Sequence, residues 1–548
     1  MSNDIPSPRR SRISRRRFLT ATGEAAAGAA LATTLGAATP TPASAPEPAA
    51  APPPSRASRA YEVRVAAAKL ERDQPRVAQK TNGDEDRYEK RWASYSKGLP
   101  HNEVGEVDPG AYRAYLKAMA SGNSEDLEQI PLGGYLKLAN PHASLAYDLV
   151  GPDSHQPTTE PPPEYASAHF AADMVELYWK ALLRDVPFSQ YESNDLVRRA
   201  SAELTSLGAF CGPRRGTTID ALNVCRGGSR GGLLGPYVSQ FLWRDLPWTP
   251  IKVPMKIRIA VPGRDYMTTV DDWRAIQNGG LAAVNEFETQ PKYIRSARDL
   301  AEFVHRDFTY QAFLGAALML LKMSAPLDGG IPYQYSVNQG GFVTFGAPDI
   351  LHFVATVANL ALKSTWYQKW LQHRTARPEE IGARVHFALR KQSVSPLHAD
   401  LLKSEAVGLT QEKFGTALLP QSYPEGAPSH PSFPAGHAAI AGACATILKA
   451  WFAETWVLPQ TFVPAADGLS LQRYEGSDLT VGGELDKLAE NVAYARNFAG
   501  VHFRSDAAEG LRLGETVAIQ YLREMKLTAR EFFAGFHLRK FDGTQITV

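Results

Sequence analysis

Ser422–Ile440, SYPEGAPSHPSFPAGHAAI, is the stretch whose reading decides the fold and the chemistry of this chain. Pro424, Pro428, Pro431 and Pro434 hold the run extended, because each proline fixes its own φ and pushes the preceding residue out of the α region. The prolines stop at Ala435-Gly436-His437, and the run of Ala, Ile, Leu and Trp that follows reads as a buried helix. A stiff loop entering a helix at glycine leaves backbone N–H groups unpaired and aimed outward, a socket for a tetrahedral oxyanion. His437 falls in the first helical turn, placed to move protons on whatever the socket holds. Such an anion also needs cationic partners from elsewhere in the chain.

Outward from the socket the pattern is helical. Helical periodicity falls at 61–74, 108–121, 170–182, 195–208, 270–290, 297–323, 348–372, 436–453, 484–500 and 505–525, the last with Ser505 as N-cap. Phe170, Met174, Tyr178 and Leu182 form one apolar stripe, which reads as core. Residues 251–262 alternate like a short strand or hairpin, and the charged segment 84–100 reads as a surface arm or interface. Glycine-rich 209–232 reads as a loop. The composition, 44% hydrophobic and 21% charged over 548 residues, is that of a large globular protein. The expected fold is mainly α, two helix bundles packed in one large α-helical domain with minor β-hairpins.

The N-terminus reads as a targeting segment. Ser14-Arg15-Arg16-Arg17-Phe18-Leu19-Thr20 is a twin-arginine pattern, followed by the mild apolar stretch Ala25–Ala38 and the small-residue site Ala43-Ser44-Ala45. Residues 1–45 are therefore expected to be a removed export signal and 46–60 a Pro/Ala-rich linker, with the catalytic domain at 61–548. The product would be periplasmic or extracellular. Residues 1–45 carry six Arg against one Asp and one Glu, so the formal net charge of +2 becomes about −2 without them. That balance gives no support to nucleic-acid binding, and no apolar run is long and clean enough for a membrane span. Cys211 and Cys225, fourteen apart, are spaced to allow a disulfide in an oxidising compartment, whereas Cys444 falls in the Ala-rich helix as a small apolar residue.

Two basic segments are candidates to complete the socket. In Trp366–Pro378, Lys369 and Arg377 lie eight apart, about 80° and 12 Å on a continuous helix, and Pro378 pulls Arg377 out of regular helix so that its fork is free for an oxyanion. In Asn491–Asp506, Gly500 ends one helix and Ser505-Asp506 opens the next, leaving His502 on the bend beside Arg496. Asp506 is placed either to cap that helix or to orient a ring nitrogen.

Together these three segments resemble the vanadium-dependent haloperoxidases, which share an anion site with the type-2 phosphatidic acid phosphatases and bacterial acid phosphatases. The resemblance covers residues 360–520. It is nearest to the algal bromoperoxidase branch, through the Lys369-to-Arg377 spacing, GPYVSQF at 235–241 and ALLRDVPF at 181–188. It implies vanadate as cofactor, with phosphate able to take its place. Lys369, Arg377, Arg496 and the Gly436 N–H would hold the vanadate oxygens, and His502 would be the nitrogen ligand to the metal. His437 would be the acid–base catalyst, His430 a second active-site histidine, and Trp366 and His430 would line the halide pocket. The implied reaction oxidises halide, bromide above all, with hydrogen peroxide to a hypohalous-acid equivalent that halogenates a small organic acceptor. The implied assembly is a homodimer or larger homo-oligomer.

One position departs from the resemblance. The family's Ser before Gly-His is Ala435 here, and a lost donor to a charged ligand is worth about 1.5–3 kcal/mol. Neighbouring Ser432 and Ser429 are the candidates to compensate. Two other functions stay open: an acid phosphatase on the same socket, with His502 as phosphoryl nucleophile and His437 protonating the leaving group, or, because of Ala435, a non-catalytic oxyanion-binding protein.

Overall fold

The computed structural model describes residues 55–75, 77–248 and 250–548. The export signal 1–45 and residues 46–54 of the linker lie outside the described residues. The first helix, Arg56–Arg72, begins five residues before the expected Tyr61, and none of its residues is buried.

Eight helices carry the interior and the site: α1 (Ala168–Leu183), α2 (Ala297–Phe303), α3 (Gln311–Lys322), α4 (Ala347–Tyr367), α5 (Pro378–Leu389), α6 (Gly436–Trp451), α7 (Val481–Phe498) and α8 (Arg504–Thr528). The fold is mainly α. One bundle gathers about α1, with Asp195–Ser206 and Glu405–Phe414 packed on it, and the second gathers about α6, which α4, α7 and α8 surround. Helix α7 touches both α1 and α6. Among the described residues the β-ladders are three two-stranded antiparallel hairpins: Leu246–Trp248 with Ile251–Val253, Phe462–Pro464 with Leu471–Arg473, and His537–Arg539 with Gln545–Thr547.

Helix α6 is central because its sequence is small. All its residues except His437 are buried. A Cβ built on Gly442 would lie 2.2 Å from the Leu511 carbonyl oxygen, and one on Gly514 would lie 1.9 Å from that of Ala439. Only glycine admits this backbone approach of α6 and α8, which brings the N-termini of both helices to one place.

Several expectations differ from what is observed, each for a physical reason. The helix expected at 270–290 ends at Gln277, because Asn278-Gly279-Gly280 turns the chain with Gly279 at φ 81°. The helix expected at 297–323 is two, α2 and α3, separated by residues 304–310, where the Val304 carbonyl takes Arg496 Nη1 and the Asp307 carboxylate faces His437 Nε2. The segment 84–100 is a surface arm only in its first half: residues 85–92 are exposed or half-buried, whereas Ser94–Leu99 is buried, and Lys97 is satisfied by the Glu379 carboxylate at 2.6 Å and the carbonyls of Glu425 and Ala427. The Lys97 charge is paired over long range rather than solvated. Helix α1 is buried nearly all round rather than on one stripe, with Glu176 paired to Lys180 and Arg504. Within 251–262, only Ile251–Val253 forms ladder. The N-cap of α8 is Phe503, whose N–H is taken by the Asp506 carboxylate at 3.1 Å, while Ser505 donates its N–H to Asp173. Cys211 and Cys225 do not pair: Cys211 is exposed, Cys225 is buried, and both are free thiols. Cys444 is buried as expected.

Candidate active site

The proline-braced stretch runs past the ends of three other segments and collects their polar groups. A wide π-helical turn, Gln368–His373, follows α4 and closes on Arg374 at φ 41°. Lys369 and Arg377 therefore converge across a helix break, not along one continuous helix. Such wide turns re-aim side chains. Arg377 is the extended N-cap residue of α5, where the Glu380 carboxylate takes its N–H at 2.7 Å. Glu380 is itself fixed by Ser96 and Gln277.

Both cations reach the same stretch of chain. Lys369, fully buried, donates Nζ to the carbonyls of Pro431 (2.6 Å) and Ser432. Arg377 uses its whole fork: Nε to the His430 carbonyl at 2.8 Å, Nη2 to His430 Nδ1 at 2.9 Å, and Nη1 to the Val501 carbonyl at 2.8 Å and His502 Nε2 at 3.0 Å. His430 leans on the Trp366 ring, centroids 4.7 Å apart, and Trp366 donates Nε1 to the Ala139 carbonyl.

The bend between α7 and α8 supplies the rest. Gly500 sits at φ 86°, and a Cβ there would lie 2.8 Å from Gln421 Nε2, so glycine is required at this turn. His502 follows, with Nδ1 2.8 Å from Asp506 Oδ2. A carboxylate only accepts, so Nδ1 carries the proton and Nε2 presents its lone pair. Asp506 both caps α8 and orients the imidazole, and its backbone carbonyl accepts the Ala435 N–H at 3.0 Å, tying His502 to the mouth of α6. At that mouth Ala435 is the N-cap and offers no side-chain acceptor. The N–H groups of Gly436, His437 and Ala438 find no acceptor among the described residues. Arg496, on α7, donates Nη1 to the Val304 carbonyl at 2.8 Å and to the Tyr423 hydroxyl at 3.3 Å, while its buried Nε finds no partner among the described residues.

The electrostatics follow from three buried cations meeting. Burial and the neighbouring Arg377 push Lys369 well below the usual ammonium range. Burial brings Arg377 down to about 10. Burial, then Arg377 and Lys369, hold His502 and His430 well below the usual imidazole range, so both rings are neutral. Burial raises Asp506 to about 6. Unpaired buried positive charge with orphan N–H donors is unfavourable by itself and becomes favourable around a multiply charged anion. The orphaned Arg496 Nε, the three free amides of α6 and the lone pair of His502 fit a tetrahedral oxyanion such as vanadate.

The structure thus brings together Trp366, Lys369, Arg377, His430, Arg496 and His502, with Gly436 and His437 at the adjoining helix mouth. The serines do not stand in for Ala435: Ser432 donates its hydroxyl to Asp506, and Ser429 donates to the Lys137 carbonyl. Sequence reasoning missed Asp307, whose Oδ1 lies 2.9 Å from His437 Nε2, and Tyr423, which holds Arg496. The signal for Asp307 was the charged trio His305-Arg306-Asp307 inside an apparent helix.

Fold and site together define a helical enzyme class with a buried site lined by cations and histidines. The profile of the VCPO second helical-bundle domain matches residues 350–530. The chain is 36% identical over 525 residues to a vanadium-dependent bromoperoxidase of Ascophyllum nodosum, covering 90% of this chain and 92% of the relative. It is 33% identical over 591 residues to that of Corallina officinalis, covering 90% and 98%. The homohexameric second vanadate-dependent bromoperoxidase (AnII) from Ascophyllum nodosum superposes with a TM-score of 0.85 at 31% identity, over 89% of this chain and 90% of that one. The chain belongs to the vanadium-dependent bromoperoxidase family.

Proposed function

We propose that this chain is a vanadate-dependent bromoperoxidase, joining hydrogen peroxide, bromide and a proton to give hypobromous acid and water, with the hypobromous equivalent passing to a small organic acceptor. The observation that carries the reading is the meeting of Lys369, Arg377 and Arg496 in a buried site where His502, protonated at Nδ1, turns its Nε2 lone pair toward the cations and is met there by Arg377 Nη1 at 3.0 Å. In this reading the three cations and the Gly436 N–H hold the vanadate oxygens, and His502 Nε2 is the ligand to the metal. Bound vanadate supplies a Lewis-acidic centre that makes a peroxide oxygen electrophilic toward halide.

The chain's own groups do the remaining work. Asp506 keeps the His502 proton on Nδ1, and burial, then the surrounding cations, keep the ring neutral, the state a metal ligand requires. Arg377 exchanges its contact with His502 for the anion. His437, with a quarter of its side chain exposed, faces Asp307 through Nε2, which leaves Nδ1 to take a proton from peroxide and return it to departing water. Trp366 and His430 form the wall at which halide is held.

The same socket accepts phosphate, so phosphomonoester hydrolysis through His502 is the competing reading, and vanadate and phosphate would exclude one another. Purified protein loaded with vanadate should consume peroxide only when bromide is present and should leave p-nitrophenyl phosphate intact. Phosphate ester hydrolysis without bromide-dependent peroxide consumption would overturn the proposal, and neither activity would favour a pure binding protein.

The homohexameric assembly of the Ascophyllum relative supports a homo-oligomer for this chain as well. Among the described residues no helix is long and apolar enough to cross a membrane. The twin-arginine segment at 14–20 supports export of the folded chain, with 1–45 removed and 46–60 as linker ahead of the catalytic domain.

A further inference from the structure

The end of α2 and the turn after it, where a continuous helix was expected, touch the site at three points. The Ala301 carbonyl accepts the Tyr423 hydroxyl at 2.6 Å, the Val304 carbonyl accepts Arg496 Nη1 at 2.8 Å, and Asp307 faces His437 Nε2 at 2.9 Å. Among these contacts lies His305, whose side chain is only 3% exposed. Its ring is stacked on Tyr423, centroids 3.8 Å apart and planes within 3°. Tyr423 in turn carries the Arg496 guanidinium 5.2 Å from its ring centroid and accepts Arg496 Nη1 at its hydroxyl.

Both nitrogens of His305 face carboxylates: Nδ1 lies 3.0 Å from Glu302 Oε2, and Nε2 lies 2.7 Å from Glu425 Oε1. A neutral imidazole has one N–H, so one of these carboxylates would meet a lone pair; only imidazolium satisfies both. The other charged groups nearby are Arg258, 3.2 Å from Glu302, and Arg306, 4.0 Å from Glu425, while Lys97 holds the Glu425 backbone carbonyl. Burial by itself lowers the His305 value, but the hydrogen-bonded Glu302 and Glu425 outweigh it and raise it above the ordinary histidine range.

We infer that His305, as imidazolium, is a positioning residue for the oxyanion site: it clamps the 301–307 turn to Tyr423 and Glu425 and so holds Arg496 in register with the anion. This inference rests on the oxyanion reading above. The clamp is complete below the ordinary histidine value of about 6.5 and is lost as pH rises through the raised value. Oxyanion affinity then has a His305-dependent fall on the alkaline side.

The test is calorimetric titration of the full chain with vanadate alone, between pH 6 and pH 9.5, for wild type, His305→Gln and Glu425→Gln. The ratio of wild-type to variant affinity at each pH cancels vanadate's own titration. His305→Gln should bind about tenfold more weakly at pH 6, with the ratio approaching one at the alkaline end. Glu425→Gln, with one carboxylate gone, should move the wild-type step to lower pH. Hydrogen exchange in wild-type peptides covering 301–307, corrected for its intrinsic pH dependence, should rise through the same step and needs no variant. A pH-independent ratio, or a step that Glu425→Gln leaves in place, overturns the clamp while vanadate binding by wild type stands. Absence of vanadate binding by wild type overturns the clamp and the oxyanion reading together.

Discussion

His437 Nε2 lies 2.9 Å from Asp307 Oδ1, a contact made across 130 residues of chain. Asp307 is nearly buried, and it fixes both the tautomer and the ring angle of His437, which keeps a quarter of its side chain exposed. Replacing Asp307 with Ala should lower kcat for bromide oxidation by about 10–100-fold while vanadate affinity stays within about threefold. Steady-state bromination run beside a binding titration checks both halves.

Arg377 spends every arm of its fork, on the carbonyls of His430 and Val501 and on two imidazoles. Lysine is a point charge and cannot span four acceptors. Arg377→Lys should weaken vanadate binding by roughly 100-fold or more, measured by equilibrium dialysis, with the far-ultraviolet circular dichroism unchanged.

Ala435 leaves α6 uncapped by any side chain, and the neighbouring serine hydroxyls are committed to Asp506 and Lys137. Ala435→Ser should therefore add a donor that no present group supplies and raise vanadate affinity by about tenfold. An unchanged affinity would mean that the new hydroxyl caps the helix N–H groups instead of meeting the anion.

Glu490 is buried on α7, accepts the Ser229 N–H at 2.7 Å, and burial raises it to about 7. Its folded value lies above its unfolded one, so the native state binds the extra proton, and stability falls as pH rises from about 4.5 through about 7. Glu490→Gln keeps the acceptor and removes the titration. Its melting temperature should gain on wild type between pH 5 and pH 8, by the equivalent of about 1–3 kcal/mol, with no such gain below pH 4.5.

The socket was legible because its devices are local. Prolines at 424, 428, 431 and 434, a Gly-His at the head of a small-residue run, and a glycine bend before His502 each act within a few residues, and each stands where local rules put it. The helices at 109–121, 168–183, 347–367 and 436–451 were legible for the same reason, since apolar period and turn residues agree there. Local rules failed where long-range partners won. Residues 304–310 keep helical periodicity, yet Arg496 takes the Val304 carbonyl and His437 takes Asp307, and these contacts outweigh continuing the helix. Lys97 looked solvated because Glu379, its partner, stands 282 residues away.

By itself the sequence determined that the protein is mainly helical and pointed to a small-oxyanion socket, the helices and the socket through local period, proline and glycine chemistry and the roles of its cations and histidines through the family resemblance. Tertiary structure alone decided what those groups become. The packing of α6 against α8 through Gly442 and Gly514 sets Asp506 between Ala435 and His502, and the broken helix at 304–310 delivers Asp307 and His305. Protonation states, too, are set there, since charge on a histidine depends on which cations and carboxylates the fold brings within a few ångströms, and sequence distance carries no record of that.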